Sequence, residues 1–107
     1  MNEVELRLKG AGKGLSRMRV RAGKRIEEVA RLMGIDRTTL WRFEQNQRGI
    51  SADDIVRFAK ALDLESGYVM KTCLEEAIEG FGDRPGGKLV GQLLDALTKL
   101  EQPRQRR

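Results

Sequence analysis

Histidine is absent from the 107 residues, and cysteine occurs once, as Cys73. A Cys/His zinc centre, an intrachain disulfide and histidine general-base catalysis are thereby excluded. Cys73 stands between Thr72 and Leu74 and reads as a small core or interface residue. Aromatic residues make up only 5 % of the chain. The core must therefore come from Leu, Ile, Val, Met and Ala, which favours helices over strands. No apolar run nears the roughly 20 residues that cross a bilayer, and the N-terminal residues lack a secretory pattern. The expectation is a cytoplasmic protein with no membrane partner. Carboxylates do not gather into a site either. Asp53-Asp54 and Glu75-Glu76 are sequence neighbours, so each pair diverges around its helix. With no catalytic constellation and nothing that implies a metal or cofactor, the chain reads as a non-enzyme.

What is abundant is charge, at 35 % of residues with a net value of +5. Its placement is polarised. Residues 15–62 sum to +5, residues 63–101 to −4, and Arg104, Arg106 and Arg107 end the chain at +3. A basic body of this kind fits a polyanion partner.

Periodicity divides the chain. Val4, Leu6 and Leu8 alternate with Glu5 and Arg7, a strand-like period of two. A lone strand needs a partner, and the same strand of a second subunit is one candidate. Gly10-Ala11-Gly12-Lys13-Gly14 lacks the spacing of a phosphate-binding loop and reads as a flexible basic linker. Helical spacing begins at Leu15, with Met18 and Ala22 on the same face and Gly23 as a stop. A second helix is expected from about Arg25 to Met33, ended by Gly34 in the left-handed conformation. Asp36 is the expected N-cap of a third helix reaching about Asn46, with Leu40 and Phe43 inward. Ser51 caps a fourth, whose inner face is Ile55, Phe58, Ala59 and Leu62. A fifth is expected over 66–81.

The fold class is all-α: about five helices, a short extended N-terminal arm and an extra C-terminal helix. By segment, 1–14 is the arm, 15–81 the main domain, 82–87 a Gly/Pro linker, 88–101 the last helix and 102–107 a basic tail. Leu89, Leu93, Leu97 and Leu100 form an apolar stripe on the last helix. It reads as a dimer seam, with packing on the domain as the alternative.

One stretch carries a specific set of constraints. Two helices that cross at a sharp turn need a small residue in the first, a glycine at the turn and apolar anchors in the second. Ala30, Gly34, Ile35, Leu40 and Phe43 supply these in order. The crossing leaves an outer face of Arg37, Thr38, Thr39, Trp41, Arg42 and Gln45, which holds donors and methyl groups but no acid. Arginine can pair with guanine through two hydrogen bonds, and threonine can meet a thymine methyl or a phosphate.

On these residues, segment 15–64 resembles the phage-repressor and Cro-like helix-turn-helix family, the XRE family. Glu28 to Ile35 is similar to its second helix and turn, Arg37 to Glu44 to its recognition helix, and Ile55 to Leu64 to its fourth helix. The resemblance implies double-stranded DNA as the partner. It implies base contacts by Arg37, Thr38 and Arg42. Trp41 is grouped with them, lying against sugar and methyl groups unless it folds back over the protein. Gln47 and Arg48 match a loop that touches the DNA backbone, and Thr39, Gln45 and Arg25 are taken as further backbone contacts. Arg19 and Glu44 match an ion pair that ties the first helix to the third. Two positions depart from the family. Ile26 replaces a glutamine that contacts phosphate and steadies the recognition helix, and Arg25 replaces a capping Ser or Thr. Asn46 stands where glycine is common, and asparagine tolerates the left-handed turn. The implied function is a transcriptional regulator, a repressor acting as a homodimer on a palindrome. The alternatives are an antitoxin that also autoregulates, and a low-specificity accessory protein of a phage or mobile element. A toxin or an anti-repressor would be the protein partner.

Overall fold

A computed structural model describes residues 7–79 and Gln92. The chain opens with β1 (Arg7–Leu8), followed by helices α1 (Gly12–Arg21), α2 (Ile26–Met33) and α3 (Arg37–Glu44). Strand β2 (Ile50–Ser51) then leads directly into α4 (Ala52–Leu62), and α5 (Ser66–Glu79) follows. The fold is an all-α helix-turn-helix domain whose two-residue N-terminal strand pairs with a second short strand ahead of α4. Helix α2 packs on α3 and α4, and α5 lies against α1 and α4.

Four helices stop in the same way. After each one, a residue takes a left-handed conformation: Gly23, Gly34, Asn46 and Asp63, with φ of 71°, 75°, 60° and 59°. The next N–H then reaches back to a carbonyl near the helix end. Lys24 bonds Arg19, Ile35 bonds Ala30, Gln47 bonds Arg42 and Leu64 bonds Ala59, at 2.8–3.3 Å. This arrangement satisfies carbonyls that would otherwise lack a partner. Gly23, Gly34 and Asn46 behave as their sequence positions suggest, and Asp63 adds a fourth stop of the same kind.

Helix starts vary more. Ser51 forms a reciprocal capping box: its Oγ accepts the Asp54 N–H at 3.1 Å, and its own N–H donates to Asp54 Oδ2 at 3.4 Å. Asp36 occupies the N-cap position of α3 with an extended backbone, but its side chain makes no cap bond. Helix α1 begins at Gly12 rather than at Leu15, so the glycine-rich segment is partly helical and is not a free linker. Ala11 is buried, and the Leu15 N–H closes the first helical bond onto its carbonyl at 3.0 Å. The first turn of α1 is capped from a distance, the Gly12 N–H donating to Asn46 Oδ1 at 2.8 Å.

Strand β1 finds its partner inside the chain, not in a second subunit. It runs antiparallel to β2, with Arg7 opposite Ser51 and Leu8 opposite Ile50. Arg7 Nη1 donates to the Gly49 carbonyl at 3.1 Å and lies 3.9 Å from Asp54. The core comprises Leu15, Val29, Leu40, Ile50, Ile55, Phe58, Val69 and Cys73, all fully buried. Ala22, expected on the inner face of α1, is exposed because it sits at the helix end. Val4, Leu6, Phe81, the 82–87 linker, the leucine stripe from Leu89 to Leu100 and the basic tail lie outside the described residues.

Candidate nucleic-acid interface

Helix α3 is held from below and behind. Leu40 and Phe43 bury its inner side at 0 % and 2 % exposure. Ala30 and Gly34 let α2 cross closely, Ala30 being buried and Gly34 carrying the left-handed φ that turns the chain. At its far end, Glu44 is only 8 % exposed. Arg19 of α1 meets it with two bonds, Nε to Oε2 at 2.7 Å and Nη2 to Oε1 at 3.1 Å. The third guanidinium edge donates from Nη1 to the Lys24 carbonyl at 3.0 Å. This forked pairing raises the Arg19 pKa further, the hydrogen bond to Glu44 being the largest cause. The pair joins α1 to α3, as the family resemblance implies, and it keeps the only acid of α3 folded into the protein.

The opposite face of α3 is open. Arg37, Thr38, Trp41 and Arg42 are exposed, and Trp41 shows 40 % of its surface rather than folding into the core. Gln45, Gln47 and Arg48 continue this surface past the helix end, and Thr39 is half-buried beside it. Arg48 places its guanidinium 5.8 Å from the centre of the Phe43 ring, a cation–π contact that shapes the loop. Arg25 is exposed just ahead of α2, without a side-chain cap. These nine side chains, named from the sequence, thus lie on α3, on the loop after it and at the start of α2.

Three contacts near this surface are not among the sequence-based expectations, although the second has the i,i+4 spacing of a helical ion pair. Arg37 Nε donates to Glu27 Oε2 of α2 at 3.0 Å. Lys24 approaches Glu28 at 3.5 Å. Asn46 caps α1 in addition to turning the chain. Glu27 and Arg37 are ten residues apart and meet only across the helix-turn-helix, so no i,i+4 rule points to them. Among the described residues, no group of acidic, cysteine or histidine side chains could hold a metal ion, and no helix is long and apolar enough to cross a membrane.

Comparison with protein families returns a match described as a helix-turn-helix domain, over residues 12–67. No curated protein matches the chain. The matched span begins at the first residue of α1 and closes in the first turn of α5, so it takes in every residue of the surface just described.

Proposed function

The chain belongs to the XRE-type helix-turn-helix domain family, and from that membership we propose that it is a sequence-specific transcriptional repressor that binds a palindromic operator as a dimer. DNA binding by a regulator follows from the family. The finer reading is supported chiefly by one observation, the division of α3 into a locked inner side and an acid-free outer side. An α-helix with its side chains is about 10–12 Å across, which fits the major-groove width of about 12 Å. Arg37, Thr38, Trp41 and Arg42 would face base edges. Arg25, Thr39, Gln45, Gln47 and Arg48 would meet phosphates or sugars. No catalytic role is proposed, and the protein would work in the cytoplasm beside its DNA.

Binding selection from random duplex DNA tests this reading, followed by titration of the selected site and of random DNA at two salt concentrations. A palindrome bound at least about 1,000-fold more tightly than random DNA is the expected result. Steep salt dependence without an enriched sequence would replace the reading with a nonspecific grip on phosphate. The dimer is assigned to the leucine stripe Leu89, Leu93, Leu97 and Leu100. Removing residues 88–107 should give a monomer by sedimentation and weaken operator binding. An unchanged dimer would move the seam elsewhere.

A further inference from the structure

Arg37 is the first residue of α3, and only one side chain reaches it among the described residues. That side chain is Glu27, in the first turn of α2. We propose that Glu27 is a positioning residue for base recognition, holding Arg37 by Nε so that the two terminal nitrogens are presented to a guanine. The inference rests on the DNA-binding reading above and assigns a specificity-determining partner to one of its contacts.

The geometry has three parts. First, the bond uses Nε alone, at 3.0 Å. Nη1 and Nη2 have no partner among the described residues, and they are the edge that can meet guanine O6 and N7 together. Second, the acid stands in the first turn of α2. Its carboxyl is held below the ordinary value first by a hydrogen bond from its own backbone N–H, then by the Arg37 guanidinium. The positive end of α2 favours the ionised carboxylate at this place, and the carboxylate accepts the Arg37 Nε bond at 3.0 Å. Third, the bond joins the first turn of α2 to the first residue of α3 across the turn between them, at the exposed side of both helices.

Stability gives no reason for the pair. Both side chains are largely in water, at 59 % and 60 % exposure, where ion pairs add little to folding. An acid beside bound phosphates would also oppose binding unless it orders a contact. Positioning accounts for its presence: a free arginine samples many rotamers, and the bond selects one before DNA arrives.

The test uses the full-length protein, the operator recovered by selection and its single-base variants. Arg37→Ala should abolish preference at one base position. Glu27→Ala should lower operator affinity by a few-fold, up to about fivefold, and weaken preference at the same position, leaving random-DNA binding unchanged or tighter. Glu27→Gln keeps an acceptor for Nε, so it should lie between wild type and Glu27→Ala. In an Arg37→Ala background, Glu27→Ala should have no further effect on base preference. The melting temperature of Arg37→Ala should match the wild type, and Glu27→Ala, which loses a first-turn acid, should fall by no more than about 5 °C. If Glu27→Ala tightens operator and random DNA equally while every preference survives, the acid merely repels phosphate and the proposal is wrong. If Arg37→Ala itself flattens no position, the base contact and the proposal fall together. The first failure leaves the base-reading assignment standing, and the second removes it.

Discussion

Replacing Gly12 with alanine would place a methyl carbon 2.1 Å from the Glu44 carbonyl oxygen, 2.7 Å from its carbon and 2.8 Å from Asn46 Oδ1. Two of these neighbours are backbone and cannot rotate away. Ordinary contact begins near 3.4 Å, so α1 and the end of α3 must separate by roughly 1 Å. Overpacking of this kind costs about 1–3 kcal/mol. Separation also stretches the Gly12 N–H bond to Asn46, worth about 1 kcal/mol. Against this stands the helix propensity that alanine gains over glycine, at most about 1 kcal/mol. The net expectation is a loss of about 1–3 kcal/mol, or about 10 °C in melting temperature for a domain of this size. Gly67 provides the control. It is also helical, and an added methyl there meets nothing within 4 Å. Gly67→Ala should therefore leave the melting temperature unchanged or raise it slightly. Urea and thermal unfolding of the three proteins, followed by helical circular dichroism, measure both effects. A Gly12→Ala protein that melts at or above the wild type would refute the argument that this glycine is retained for close approach.

Further outcomes follow from buried chemistry. Glu44→Ala leaves the Arg19 guanidinium, whose side chain is only 16 % exposed, without its partner, and should cost about 2–4 kcal/mol. An Arg19→Met, Glu44→Leu double variant should be more stable than Glu44→Ala alone, as urea titration would show. Strict additivity of the two single changes would contradict the coupling. Cys73 is fully buried, and burial, with Glu76 adding to it, pushes its thiol from 9.0 up to about 12. Native protein should therefore resist thiol reagents at about pH 8 and label only on unfolding. The unfolded thiol ionises near its ordinary value. Its contribution to stability is complete below about pH 9 and is lost as pH climbs towards 12. The stability difference between wild type and Cys73→Ala should shrink over that range. A constant difference would mean that the thiol is not desolvated in the native state.

Much of this architecture was legible because it depends on local rules. Gly34 after a helical apolar pattern, Ser51 three residues before Asp54, and the inward spacing of Leu40 and Phe43 each act within one or two turns. The Arg19–Glu44 pair came from family resemblance, since nothing in the spacing of two residues on different helices predicts a contact. Gly12 and Gly14 misled for a related reason. Glycines in sequence suggest flexibility, but here they are small surfaces against Glu44 and Glu76, and only the packed structure distinguishes the two uses. Asp36 shows the reverse error: a residue suited to capping occupies the cap position and makes no bond. The candidate DNA surface was legible as a list of side chains, but the internal bond that orders Arg37 was not.

The two ends of α3 are fastened by different means. Its C-terminal end is fixed by Glu44, Asn46 and the close approach of Gly12, all tied into α1. Its N-terminal end meets α2 through solvent-exposed side chains. Arg37 and Thr38, two of the four residues proposed to face bases, thus stand where substitution disturbs little of the fold, and Glu44 and Asn46, which hold the helix, stand where substitution is costly. Such an arrangement separates adaptation from folding. Exchanging residues near Arg37 and Glu27 in concert would remodel the candidate DNA-facing surface while the mount that carries it stays intact.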